Sequence, residues 1–145
     1  PFTDSDARIV ETAGISIAEI FDIAGEAKFR AMDRDAIRKA VDEGPAILST
    51  GGGAICAPDM AELLCKRTIV VWLSAAPETL LGRIGSTGSR PLLHGDDPLG
   101  MLGRLVAERK TDYGKAHITI KTDGLSAWST TLTLLSALDT HLAVT

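Results

Sequence analysis

The chain is poor in the residues that would hold a metal or staple a small fold. It has two cysteines, Cys56 and Cys65, nine positions apart. That spacing matches no zinc motif, and one pair is not a disulfide framework, so free thiols in a reducing cytoplasm are expected. His94, His117 and His141 are scattered, which argues against a transition metal bound by protein ligands. No apolar run reaches the roughly 18 residues that span a bilayer, and no segment reads as a secretory signal, so no membrane partner is expected. Basic residues form no run, and the formal charge is −4, which argues against nucleic acid as a partner. An anionic ligand would have to be gripped by a few converging arginines.

What is present is globular. The 145 residues suffice for one core, at 45% apolar and 23% charged content. Ser16-Ile17-Ala18-Glu19 reads as a capping box opening a short helix that ends near Gly25. A second helix is expected over 26–42, with Phe29, Met32, Ala36, Ile37 and Ala40 at helical spacing. Pro58 and Pro77 each open a helix at its first position, and helices are expected over 98–111 and 126–142. Strands are expected over 46–50, 68–73 and 117–121. The second of these lacks alternation, the pattern of a strand covered on both faces. Residues 85–97 have no period, and a loop of about a dozen residues in a compact domain is usually functional. Strands alternating with helices predict a parallel sheet with right-handed crossovers.

The most informative segment is Ile47-Leu48-Ser49-Thr50-Gly51-Gly52-Gly53-Ala54. Three glycines after a short apolar run let a ligand approach bare backbone N–H groups, at the strand end where α/β proteins bind ligands. By itself the triplet reads equally well as a flexible turn. Asp4 and Asp6 can present carboxylates at neighbouring points, or can simply cap the next helix. A lone arginine is most often a surface ion-pair partner. That is the expectation for Arg8, Arg34, Arg38 and Arg67, and Arg104 is expected to be solvated.

Taken in order, Phe2-Thr3-Asp4-Ser5-Asp6, Glu26-Ala27-Lys28-Phe29-Arg30, the glycine triplet, Arg90-Pro91-Leu92-Leu93 and Arg109-Lys110-Thr111-Asp112-Tyr113 resemble shikimate kinase over nearly the whole chain. The resemblance implies an α/β, three-layer, P-loop kinase-like fold with a parallel sheet of strand order 2-3-1-4-5. It implies transfer of the γ-phosphoryl group of ATP, with Mg2+, to the 3-hydroxyl of shikimate. By the same resemblance, Asp6 is the candidate base and binds the shikimate hydroxyls, while Asp4 reaches Mg2+ through water. Arg30 and Arg109 take the carboxylate, with Asp33 steadying the arginines. Gly51, Gly52 and Gly53 meet the ring hydroxyls, Gly52 being the expected direct donor. Residues 85–97 correspond to a lid carrying Arg90 to the phosphates, and Arg83 packs on the adenine. A single cytoplasmic, monomeric domain is expected.

One departure stands out. The family opens with a strand and a G-x-x-x-x-G-K-[ST] loop, and these 145 residues contain neither. The expectation is therefore a kinase domain, 1–145, shown without its N-terminal central strand and P-loop, and inactive by itself. Two alternatives stay open: a non-catalytic shikimate-binding homologue, and a related small-molecule kinase such as a gluconate kinase.

Overall fold

A computed structural model of the chain describes residues 1–85, 93 and 96–144. They divide into two compact units, Pro1–Thr68 and the described residues from Ile69 onward.

In the first unit, β1 (Phe2–Asp4) lies parallel to β2 (Ile47–Ser49), with Thr3 opposite Leu48 and Asp4 opposite Ser49. Between them run α1 (Ser5–Ala13) and α2 (Ile17–Asp42), the crossover that a parallel pair requires. The capping box at Ser16 and Glu19 forms in full. Gly25, at φ 76° and ψ 172°, breaks α2 where two helices were expected, a conformation that any side chain would strain. Ile9 of α1 packs with Ile20 and Phe29 of α2, and the Phe21 and Phe29 rings stand 4.9 Å apart. A short 3-10 helix (Ala54–Cys56) and α3 (Pro58–Arg67) complete the unit, with Met60 fully buried.

In the second unit, β3 (Val71–Ser74) lies parallel to β4 (Ile118–Lys121), with α4 (Pro77–Ile84) and α5 (Pro98–Tyr113) between them in sequence. α6 (Ala127–Val144) follows. The pairings β1–β2 and β3–β4 are those of the first and last two strands in the order 2-3-1-4-5.

Three expectations need correction. α1 was foreseen only as something that Asp4 could cap, and it proves to be nine residues long. The strand over 68–73 was read as covered on both faces, yet Leu73 is 54% exposed, and in β2 Ile47 is 72% exposed. A strand's faces are covered by what packs on the sheet, and these side chains lie where little does. His117 is also not isolated: its ring lies 5.8 Å from that of His141, and its Nδ1 accepts the Val70 N–H.

Candidate acceptor-binding site

In the first unit, chemistry gathers where β1 and β2 end. Because the strands are parallel and in register, residues just past Asp4 and Ser49 emerge at one edge. Gly51, Gly52 and Gly53 follow β2 in a fixed turn, with Ala54 N–H donating to Gly51 O and Cys56 N–H to Gly53 O. None of the three has positive φ, so backbone strain does not call for glycine here, and at Gly53 the constraint is one of space. A Cβ on Gly51 would sit 3.4 Å from Asp6 Oδ1 and 3.7 Å from Asp33 Oδ2. A Cβ on Gly53 would clash with the Arg30 guanidinium, 2.7 Å from Cζ and 2.9 Å from Nη2. Two carboxylates and one guanidinium thus close on bare backbone.

Each charged group is held by local structure. Asp4 is the N-cap of α1, its Oδ1 accepting the Ala7 N–H at 3.1 Å, and Asp6 lies in the first helical turn. Arg30 donates from Nε and Nη2 to Glu26 Oε1, one turn earlier, at 3.3 and 3.0 Å. Its Nη1 is the atom nearest the place that a Cβ on Gly53 would take. Asp33 is buried and accepts the Ser5 hydroxyl at 3.1 Å. Burial pushes its carboxyl up from the usual range, Asp6 adds to the rise, and the Ser5 bond, Arg30 and Arg34 oppose it. The charge of Arg30 favours the ionised Asp33 carboxyl, while the guanidinium bonds of Arg30 go to Glu26.

Of the arginines read as surface partners, three are so placed: Arg8 with Glu43, Arg38 with Asp59, and Arg67 with Asp42. Arg34 is the exception. It borders a cavity of about 230 Å3 together with Arg30, Asp33, Gly53, Cys56 and Met60. The signal for it was the i, i+3, i+4 spacing of Arg30, Asp33 and Arg34, but spacing alone does not reveal which face a helix buries.

In the second unit, Arg83 donates to Thr122 Oγ1 at 2.8 Å and to Thr122 O at 2.6 Å, which fixes its guanidinium beside the end of β4. Asp123 accepts from Thr79 Oγ1 and Ala76 N–H, and these bonds hold its carboxyl below the usual range. Arg109 is half-buried on α5, one turn before Tyr113, whose ring meets Trp72 at 5.4 Å. Arg90, and residues 86–92 and 94–95 of the expected lid over 85–97, lie outside the described residues. Among the described residues no three His, Cys, Asp or Glu side chains gather as a metal site, and no helix is long and apolar enough to cross a membrane.

Parallel strand pairs with helical crossovers, and a glycine turn ringed by carboxylates and a guanidinium, define a small α/β protein of the P-loop kinase type. Solved structures agree. A shikimate kinase from Acinetobacter baumannii, in complex with shikimate, matches with a TM-score of 0.88 at 33% identity, over 96% of this chain and 79% of that one. The shikimate kinase from Bacteroides thetaiotaomicron matches at 0.82 and 27%, over 94% and 80%. The sequence model described as shikimate kinase matches residues 1–139. The chain belongs to the shikimate kinase family. Among curated relatives, the shikimate kinase of Mesorhizobium japonicum is 37% identical over 122 residues, 84% of this chain and 60% of the relative. That of Brucella canis is 32% identical over 142 residues, 98% and 71%. The chain thus spans about 60% of the length of the first of these relatives.

Proposed function

We propose that this protein phosphorylates the 3-hydroxyl of shikimate at the expense of ATP. The observation that carries the proposal is the closure of Asp6 and Arg30 on the Gly51–Gly53 backbone, a site with one group for each demand of a hydroxylated ring acid. Arg30 suits the planar carboxylate, since its fork can donate two parallel bonds. Its present partner Glu26 is half exposed, and an exposed pair is worth only about 0–1 kcal/mol, so a ligand carboxylate can compete for it. The Gly52 N–H is the assigned donor to the ring hydroxyls, with Gly51 and Gly53 leaving room for the ring. Asp6 orients the attacking hydroxyl and takes its proton as the new O–P bond forms and the bond to ADP breaks. To Arg109 the family resemblance assigns the carboxylate, to Arg83 the adenine, and to Arg90 the phosphates.

Mg2+ would neutralise charge on the transferring phosphoryl group. Asp4 fits an outer role there, because capping engages only its Oδ1 and leaves Oδ2 for a metal-bound water. No segment of these 145 residues carries the P-loop pattern, so none is assigned to hold the triphosphate.

The test is Asp6→Asn in the full-length polypeptide, followed by ADP release. We expect kcat to fall on the order of 100-fold, the scale of a positioned base, with shikimate affinity changed little. Near-normal turnover would leave Asp6 a first-turn helix residue and sink the assignment.

A further inference from the structure

Arg34 stands one turn beyond Arg30 on α2, and Arg30, Asp33, Arg34 and Ile37 share one helical face at i, i+3, i+4 and i+7. That face borders the 230 Å3 cavity, with Gly53 and Met60 across from it. Ile37 and Met60 are fully buried, so its walls are apolar in part. Among the described residues Arg34 makes no hydrogen bond or ion pair, unlike Arg8, Arg38 and Arg67, each of which grips an acid. The acid that shares its cavity, Asp33, is buried and tied to the Ser5 hydroxyl. Glu26 binds Arg30 through Nε and Nη2 and does not reach Arg34. The cavity therefore brings two guanidiniums together beside partly apolar walls, a setting that suits an anion.

We infer that Arg34 is a further carboxylate-binding arginine of the acceptor site, beyond Arg30 and Arg109, which together with Arg30 makes that site selective for an acid over its neutral analogues. The inference rests on the acceptor-binding reading given above. It assigns part of the substrate's charge recognition to α2 alone. A neutral ester of the same ring acid would lose the charge-assisted, two-oxygen part of what Arg34 offers. A carboxylate would gain a charge-assisted bond, on the scale of about tenfold in affinity.

Calorimetry on the full-length polypeptide, with shikimate and with its methyl ester, decides the matter. Arg34→Gln keeps the helix and most of the stem. It is expected to weaken shikimate binding about tenfold while leaving the ester within about twofold. Arg34→Lys is expected to recover part of the loss, because a point charge replaces the fork incompletely. Shikimate binding by Arg34→Gln within about twofold of the unsubstituted protein would overturn the role of Arg34 alone, as would equal losses for acid and ester. Failure of the unsubstituted protein to bind shikimate would overturn the acceptor-binding reading and this inference with it.

Discussion

Among the glycines, Gly53 shows how a single missing Cβ shapes the site. Arg30 occupies the space that a side chain at 53 would need, and the clash falls on the far end of a long, flexible side chain. A Gly53→Ala protein should therefore fold with little loss, because the guanidinium can swing aside, and φ at 53 is negative. What it should lose is the poise of Arg30 over the backbone. Shikimate affinity is expected to fall about tenfold, the scale of one charge-assisted bond, while the denaturation midpoint moves little. Calorimetry beside a denaturant titration checks this, and an unchanged affinity would mean that Arg30 does not meet the ligand from this position. Gly51 differs: a Cβ there would make only ordinary contact with Asp6 Oδ1 at 3.4 Å and Asp33 Oδ2 at 3.7 Å, so Gly51→Ala displaces neither carboxylate.

At the scale of elements, the sequence was most readable where local chemistry decides the outcome. The capping box at Ser16, the helices opening at Pro58 and Pro77, and the break at Gly25 all follow from residues acting on their own backbone. Strand burial was less readable, since the exposure of Ile47 and Leu73 depends on what packs on each sheet rather than on the strand itself. The site divides in the same way. Asp6, Arg30 and the glycines belong to an ordered pattern along the chain, whereas Arg34 and the Ser5–Asp33 bond join residues whose relation only the packing of α1 and α3 on α2 reveals. Asp4 belongs at this scale because it serves an element and, in the proposed reaction, a metal-bound water. Two substitutions separate these duties. Asp4→Ser retains a good N-cap, whereas Asp4→Ala removes it and should cost about 1 kcal/mol of stability. Turnover at limiting Mg2+ should drop in both if the carboxylate meets metal-bound water. If Asp4→Ser turned over normally, the residue would be a cap and nothing more.

On the scale of the whole molecule, the residues assigned to acceptor and nucleotide fall largely in different units, and this makes a kinetic prediction. Arg30 lies in the unit Pro1–Thr68, its guanidinium filling the space beside Gly53 that a side chain there would need. Arg83 lies in the other, its guanidinium locked by two bonds to Thr122, a buried residue that in turn donates to Ser74 O. A planar cation so fixed can stack on an adenine without first losing side-chain freedom. Arg30→Ala should weaken shikimate binding by about 1.5–3 kcal/mol, measured without nucleotide, and leave the KM for ATP nearly unchanged. Arg83→Ala should do the converse, raising the KM for ATP with shikimate affinity intact. Because Arg83 also ties α4 to the end of β4, its variant should lose some stability, so both affinities need to be measured well below its denaturation midpoint. Arg109→Ala is the informative third member. It lies in the same unit as Arg83 yet is assigned to the carboxylate, so it should behave like Arg30→Ala. If Arg109→Ala instead raised the KM for ATP and spared shikimate, charge recognition of the acceptor would rest on α2, and Arg109 would move to the nucleotide side.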